Sequence, residues 1–190
     1  MKTGLFFGSF NPVHVGHMII ANYMAQHTDL DQVWMVVSPQ NPFKTQKSLA
    51  KDYDRLDLLE LAIGDNPLLK SSNIEFGLPK PSYTIDTLTY LKEKYPTKEF
   101  VLIMGGDNLQ HFHKWKNYEV ILANHEIYVY KRPSYDLGDL QTHEKISLFD
   151  APLMEISSSY IRKEIAAGKS VDYLVTKEVK ERIESAGLYK

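Results

Sequence analysis

Short apolar runs alternate along the chain with segments in which apolar residues recur every three or four positions. The short runs predict β-strands at residues 5–7, 32–38, 99–104 and 126–130, with weaker extended segments at 70–76 and 148–155. The periodic segments predict helices at residues 16–27, 52–63, 82–94, 115–122, 158–167 and 176–186. This alternation predicts an α/β fold: a Rossmann-like, doubly wound, mainly parallel sheet with helices on both faces and a C-terminal helical segment.

Length and composition limit the class of protein. The 190 residues predict a single domain over residues 1–190 with a full core, and 43% hydrophobic with 24% charged residues is typical of a soluble globular protein. A net charge of −2 gives no global basic field, so we expect no nucleic-acid partner. The absence of Cys excludes disulfides and thiol catalysis. No apolar run approaches the roughly 20 residues that span a bilayer, and residues 5–7 resemble a core strand rather than a signal peptide, so we expect a cytoplasmic protein with no membrane partner.

The first strand leads into a glycine turn that is followed by two histidines. Gly8 lets a ligand approach the backbone because it has no Cβ. His14 and His17 are three residues apart, and near a helix that begins at about Gly16 they can face one point. Two imidazoles beside exposed helix N–H groups favour a phosphate.

Two other interpretations of the histidine pair are considered. One is a surface histidine beside a histidine that caps the helix. The other is a zinc site, which lacks support because the chain has no Cys and no obvious third ligand at metal spacing.

Three predicted strands are followed by turns of unusual composition, at residues 8–9, 39–44 and 105–107. In a doubly wound sheet, ligands bind outside the carboxyl ends of the strands. We therefore expect the three turns to meet at one crevice.

A second candidate phosphate site lies near the C-terminus, in the segment Ile156-Ser157-Ser158-Ser159-Tyr160-Ile161-Arg162. Serine is a good N-cap, a helix start offers unpaired N–H donors, and Arg162 can join them on the same face. A plain capped helix with a solvated arginine is the alternative. The histidine pair upstream favours the phosphate site.

These motifs together resemble those of the nicotinate/nicotinamide mononucleotide adenylyltransferase family, over essentially the whole chain. His14-Val15-Gly16-His17 is similar to the HxGH signature of the nucleotidyltransferase superfamily. The other matching segments are Gly8-Ser9-Phe10-Asn11-Pro12, residues 39–44 with Phe43 where His is frequent, residues 82–88, residues 103–108 with Gly106 where Ala is frequent, and Trp115, where nicotinate-preferring bacterial members place an aromatic residue.

The resemblance implies a reaction in NAD biosynthesis that transfers AMP from ATP to nicotinate mononucleotide and releases pyrophosphate. The 5′-phosphate of the mononucleotide attacks the α-phosphorus of ATP directly, in line with the leaving group. Such chemistry needs alignment and charge stabilisation rather than a protein nucleophile. Mg²⁺ is the implied cofactor, bound mainly through the ATP phosphates, so the resemblance implies no metal ligands from the protein. The implied partners are the two substrates, with a homo-oligomer left open.

The resemblance also implies roles for particular residues. The implied catalytic residues are His14, His17, Lys44 and Arg162. The implied ATP-binding residues are Gly8, Ser9, Phe10, His14, His17, Gly105, Asp107, Ile156, Ser157, Ser158 and Arg162. The implied residues for nicotinate mononucleotide are Asn11, Lys44, Tyr83, Thr84, Trp115, Lys116 and Arg132.

Several of these roles have a structural alternative. Asp107 would accept hydrogen bonds from the adenosine ribose, or else cap a helix. Trp115 would stack on the pyridine ring, or else pack in the core. Thr84 and the Lys116 N–H would bind the nicotinate carboxylate. Arg132 could reach a phosphate or face solvent, as could Arg55.

Three rival functions remain. Phosphopantetheine adenylyltransferases and cytidylyltransferases share the first motif, but residues 82–88 and Trp115 argue against them. An enzyme of the same family could prefer the amide, nicotinamide mononucleotide. A nucleotide sensor without turnover is disfavoured by the intact set of His14, His17, Lys44 and Arg162.

Overall fold

A six-stranded parallel sheet forms the centre of the computed structural model, which describes residues 1–39, 49–132, 135 and 137–190. The strands are β1 (Lys2–Gly8), β2 (Gln32–Val37), β3 (Leu69–Ser72), β4 (Glu99–Gly105), β5 (Ile127–Tyr130) and β6 (Ile146–Phe149). Their order is β3-β2-β1-β4-β5-β6, and every neighbouring pair is parallel. The predicted doubly wound, mainly parallel sheet is confirmed.

Helices cover both faces of this sheet, as predicted. They are α1 (Val15–His27), α2 (Asp52–Ile63), α3 (Thr84–Lys94), α4 (Gly106–Gln110), α5 (Tyr118–Asn124), α6 (Ser158–Ala166) and α7 (Lys177–Ala186). Apolar residues of α1, α2, α6 and α7 share one core cluster with alternate residues of the strands, such as Phe6 and Met35. Residues of α3, α4 and α5 form the second cluster with the intervening positions, such as Leu5 and Trp34. Within the described residues, no helix is long and apolar enough to cross a bilayer.

The strand order reverses between β1 and β4, which are neighbours in the sheet although two strands and three helices separate them along the chain. Loops that leave the carboxyl ends of these two strands run to opposite faces, which opens a crevice between them. The crevice is therefore expected after Gly8 and Gly105, the last residues of β1 and β4.

Three predicted elements are displaced. The helix predicted at 115–122 begins at Tyr118, because Asn117 adopts a left-handed backbone with φ 52° and so interrupts a helix. The strand predicted at 70–76 ends at Ser72 and is followed by a 3₁₀ turn, Ile74–Gly77. The extended segment predicted at 148–155 is in fact the strand β6, Ile146–Phe149.

Candidate active site

A cavity of about 1080 Å³ opens at the carboxyl ends of β1 and β4. It is large enough for a nucleotide-sized ligand. The expected meeting of the turns is confirmed for those after β1 and β4, which both line it together with the starts of α1 and α6. The predicted site residues in its lining are Gly8, Ser9, Phe10, Asn11, His14, His17, Asp107, Trp115, Arg132, Ile156, Ser157, Ser158 and Arg162. Lys44 and the rest of 40–48 lie outside the described residues.

The two histidines stack at the start of α1, with 3.7 Å between ring centroids and 26° between ring planes. His14 is the N-cap residue, and its backbone N–H donates to His17 Nδ1 at 3.2 Å. A neutral imidazole carries one proton, so the accepting Nδ1 assigns that proton to Nε2 of His17. The backbone therefore fixes the tautomer of a histidine that lines the cavity.

His14 is 7% exposed, and its burial lowers the pKa of the imidazole to about 4, with a smaller contribution from the positive charge of Arg132. The ring is therefore neutral at pH 7. Its Nδ1 is buried and makes no well-formed hydrogen bond to a described residue, although the His17 N–H faces the His14 side chain as in a capping box. A buried polar atom left in this way at a cavity is a ready partner for a ligand.

Gly16 separates the histidines for a steric reason. A Cβ on this residue would lie 3.1 Å from His14 Nδ1. Any larger residue would push on the ring that stacks against His17. The glycine of the His-x-Gly-His motif thus preserves the imidazole pair.

The Phe10 ring packs against His17, and Gly8 leaves space for that ring. Phe10 has a left-handed backbone with φ 43°, and its buried ring packs edge-to-face on His17 with 5.0 Å between centroids. A Cβ on Gly8 would lie 2.7 Å from the Phe10 ring. The structure therefore gives Gly8 a packing reason to lack a side chain, whereas the sequence had suggested ligand approach.

Arg55 is completely buried, so the alternative of a solvated helix residue is wrong. Its guanidinium donates to Ser9 O at 2.5 Å, to Ser38 O at 2.9 Å and to Ala50 O at 3.1 Å. It thereby ties the turn after β1 to the end of β2. Sequence reasoning missed this role, although buried Leu58 and Leu59 on the same helical face were an available signal.

The start of α6 is fastened to the same turn after β1. Ser157 caps the helix by accepting from the Tyr160 N–H at 3.1 Å, and Ser158 Oγ donates to Pro12 O at 2.9 Å. Arg162 donates to Asn11 O at 2.8 Å. The serine hydroxyls therefore have structural partners, and the helix presents its first N–H groups at the cavity.

Asn11 makes a second contact between chain segments, in addition to the hydrogen bond that its backbone carbonyl accepts from Arg162. Its buried side-chain oxygen accepts from the Ala50 N–H at 3.0 Å. The residue predicted to bind the mononucleotide thus joins the turn after β1 to the segment that precedes α2.

Asp107 and Arg132, predicted for different ligands, form an ion pair with 3.3 Å between Oδ1 and Nε. Neither atom makes a well-formed hydrogen bond to a described residue, and the Arg132 guanidinium also lies 5.6 Å from the centre of the Tyr130 ring. Gly105 leaves space for it, since a Cβ there would collide with Asp107 Oδ1 and lie 2.9 Å from the Tyr130 ring. Ribose hydroxyls could replace the guanidinium at Asp107.

Trp115 is the predicted pyridine-binding residue that lines the cavity, and it packs edge-to-face on Phe112 with 5.4 Å between centroids. Tyr83, Thr84 and Lys116 lie outside the lining. The Lys116 ammonium pairs with Asp86 at 2.9 Å and lies 4.7 Å from the centre of the Tyr83 ring. This contact brings the start of α3 next to the Trp115 segment.

Among the described residues, no three His, Asp or Glu side chains come together as a metal-binding group. The cavity lining combines two arginines, Arg132 and Arg162, with two imidazoles and the N–H groups of helix starts, and these donors suit phosphate oxygens. This set of donors fits a magnesium ion that arrives on a triphosphate better than a resident metal.

Comparison with known proteins places this site in a family. Residues 5–164 match the model of the family described as cytidylyltransferase-like, and the chain belongs to that family. Within it, the chain groups with relatives named nicotinate-nucleotide adenylyltransferases, as two full-length matches illustrate. The probable nicotinate-nucleotide adenylyltransferase of Cytophaga hutchinsonii is 57% identical over 189 residues, which cover 100% of this chain and 98% of the relative. The protein of the same name from Flavobacterium psychrophilum is 54% identical over 192 residues, with 100% of both covered.

A solved structure supports the fold. Plasmodium falciparum nicotinic acid mononucleotide adenylyltransferase, complexed with NaAD, superimposes with a TM-score of 0.83 at 19% identity. The alignment covers 99% of this chain and 97% of that one. At this identity the likeness establishes the architecture alone.

Proposed function

We propose that the chain is a nicotinate-nucleotide adenylyltransferase, which transfers AMP from ATP to nicotinate mononucleotide and releases pyrophosphate. The stacked pair of His14 and His17 beside the α6 start carries this proposal. Neutral imidazoles and helix N–H groups donate to phosphate oxygens without adding an acid or a nucleophile. The full-length relatives of that name support the choice of substrates.

The reaction needs one bond to form as another breaks. A 5′-phosphate oxygen of the mononucleotide forms a bond to the α-phosphorus of ATP, while the bond from that phosphorus to the bridging oxygen of pyrophosphate breaks. Negative charge grows on the α-phosphate and moves to pyrophosphate. His17, which carries its proton on Nε2, is placed to donate to these oxygens, and Arg162 with the α6 start attracts the leaving group.

The remaining contacts orient the two substrates. Asp107 accepts from the adenosine ribose once Arg132 moves aside, and Arg132 can then bind a phosphate. Trp115 stacks on the pyridine ring. We also propose that Lys44, which lies outside the described residues, binds phosphate. Mg²⁺ bound to ATP would supply charge neutralisation on the phosphates, with Arg162 and the N–H groups at the α6 start completing the contacts from the protein.

A pyrophosphate-release assay tests the proposal. The purified chain with MgATP should release pyrophosphate only when nicotinate mononucleotide is present, and mass spectrometry should identify nicotinate adenine dinucleotide in equal amount. ATP with phosphopantetheine, and CTP with a phosphorylated alcohol, are the control pairs for the rival transferases. Turnover of a control pair instead would assign a different enzyme, and ATP binding with no turnover of any pair would indicate a sensor.

A further inference from the structure

A buried polar cluster lies under the start of α3, away from the residues that line the cavity. We call it the Glu75 cluster, and its members are Glu75, Ser38, Ser82 and Thr87, all buried in the structure. Glu75 is 1% exposed and lies in the 3₁₀ turn that follows β3. The proposed chemistry uses none of these side chains.

The hydrogen bonds of the cluster run from the β3 turn into α3. Thr87 Oγ1 donates to Glu75 Oε1 at 2.7 Å and also lies 3.4 Å from the carbonyl of Tyr83, the N-cap of α3. The hydroxyls of Ser38 and Ser82 lie close enough to lower the pKa of the Glu75 carboxyl, but its burial has the larger effect and raises it. Among the described residues, Glu75 Oε2 and Ser82 Oγ lack a well-formed hydrogen bond.

The placement of these groups joins three chain segments at one point. Ser38 follows β2, Glu75 follows β3, and Ser82 immediately precedes the N-cap of α3. Burying a carboxyl that is not fully hydrogen-bonded costs free energy, so an apolar residue would serve packing alone better. The Glu75 carboxyl instead holds the first turn of α3 in place, by accepting the hydrogen bond from Thr87.

The first turn of α3 is linked to the Trp115 segment, which is assigned to the pyridine ring, although the residues of that turn lie outside the cavity lining. Lys116, the neighbour of Trp115, pairs with Asp86 in this turn and covers the Tyr83 ring. ATP, in contrast, is assigned to the starts of α1 and α6 and to the turn after β4. A shift of the first turn of α3 should therefore disturb one substrate and spare the other.

We propose that Glu75 is a positioning residue that sets the affinity for the pyridine end of the mononucleotide by fixing the first turn of α3 through Thr87. The inference rests on the proposed function, because it assigns that end of the cavity to nicotinate mononucleotide.

Thr87→Val is the central test, because it removes the hydroxyl and keeps the shape of the side chain. The KM for nicotinate mononucleotide should rise roughly 10-fold, as expected for one lost hydrogen bond, while the KM for ATP and kcat stay within about 2-fold. Thr87→Ser keeps the hydroxyl and should restore the KM. Thr89→Val is the matched control, because Thr89 Oγ1 donates only within α3, to Ile85 O at 2.9 Å.

Two variants of the carboxyl complete the test. Glu75→Gln keeps an oxygen that can accept from Thr87 and should leave the KM for the mononucleotide within about 3-fold, whereas Glu75→Leu should raise it at least about 10-fold. Thermal unfolding of each variant measures the loss of stability separately. If Glu75→Leu does not fold, the comparison of Thr87→Val with Thr87→Ser still decides.

Several outcomes would overturn the inference. An unchanged mononucleotide KM in Thr87→Val, an equal rise in both KM values, or no restoration by Thr87→Ser would each show that the hydroxyl has no selective effect. Failure of the proposed function is distinguishable, because the unaltered protein would then not turn over nicotinate mononucleotide at all.

Discussion

The His14 backbone N–H donates to Nδ1 of His17, and this hydrogen bond bears on where the imidazole carries its proton. That bond leaves the proton on Nε2, where the imidazole is a donor to phosphate and a poor nucleophile. The stacked His14 ring limits the rotation of His17. At the scale of the residue, this arrangement supports the proposed role of the pair in charge stabilisation.

Replacing His17 by Ala should lower kcat by roughly 10²–10³, as is typical when a transition-state hydrogen-bond donor is lost. The KM for ATP should change only a few-fold, because other groups still bind the triphosphate. Steady-state kinetics with both substrates measures the two effects. His113→Ala, at an exposed histidine in a 3₁₀ turn outside the cavity lining, is the control and should match the unaltered enzyme. A trapped adenylylated histidine, or turnover by His17→Ala within a few-fold of normal, would refute the assigned role.

The lowered pKa of His14 predicts a pH dependence of stability. In the unfolded chain the imidazole titrates near 6.5, and in the native state near 4. Between these values only the unfolded state takes up a proton, so native stability is fully present above about pH 6.5 and falls as the pH decreases towards 4. The loss between pH 7 and pH 5 should be about 2 kcal/mol larger in the unaltered protein than in His14→Gln. Urea unfolding at the two pH values measures it, and equal losses would show that His14 titrates normally.

At the scale of the element, α2 shapes the site although its side chains do not enter it. Arg55 donates to carbonyl groups in the turn after β1 and at the end of β2, and Asp52 pairs with its guanidinium at 2.7 Å. Helix α2 thus supports the turn after β1, which contains Phe10, the residue whose ring packs against His17. Removing the Arg55 guanidinium would leave Asp52 and the buried carbonyl groups without their partner, which is costly in free energy. We therefore expect the turn after β1 to lose support.

Arg55→Met should destabilise the fold by about 3–5 kcal/mol, because buried carbonyl groups lose their donors while a similar volume stays filled. Arg182→Met is the matched control. Arg182 also joins α2 to another element, through Asp57 at 2.5 Å, but the pair is exposed and should contribute less than about 1 kcal/mol. Urea denaturation of both variants provides the comparison. Similar losses of unfolding free energy in the two variants would contradict the proposal that Arg55 joins the turn after β1 to the end of β2.

The difference between Arg55 and the histidines shows what sequence could predict. The histidine motif is local, since both side chains and the glycine between them lie within one helical turn, and its placement at the crevice is confirmed. Arg55 acts on Ser9, 46 residues away, and no local pattern specifies that partner. Likewise, nothing in the sequence indicated that the Lys116 ammonium pairs with Asp86, 30 residues earlier; the predicted role of the Lys116 backbone N–H stays a prediction. Partners that are distant along the chain depend on the packed fold, and their identity was therefore beyond sequence reasoning.

At the scale of the whole molecule, the site is assembled from both ends of the chain. Arg162 bonds to Asn11 across 151 residues, Ser158 bonds to Pro12 across 146, and the Val15 N–H donates to Leu174 O at 3.0 Å. The proposed phosphate site therefore forms only when the C-terminal segment docks on the turn after β1. The proposed pyridine site depends on different contacts, where α3 approaches Trp115.

That separation predicts which substitutions affect which substrate. Trp115→Ala should raise the KM for the mononucleotide and spare the KM for ATP, because the proposed mode of binding assigns the indole to the pyridine ring and the triphosphate to the starts of α1 and α6. Comparing the two KM values by varying one substrate at saturating concentrations of the other is the measurement. Equal rises would place Trp115 in general packing instead.

The pyridine end should also distinguish a carboxylate from an amide. The start of α3 offers N–H groups and the Thr84 hydroxyl, which favour an anion, and Lys116 neutralises Asp86, the nearby acidic side chain of that turn. Each buried, charge-assisted hydrogen bond is worth about 1.5–3 kcal/mol, or on the order of 10–100-fold. Two such contacts predict a preference of at least about 100-fold in kcat/KM for nicotinate mononucleotide over nicotinamide mononucleotide. Measuring kcat/KM for both at matched ATP decides the point: equal efficiencies would mean that the α3 start does not recognise the carboxylate, and the enzyme would have dual specificity.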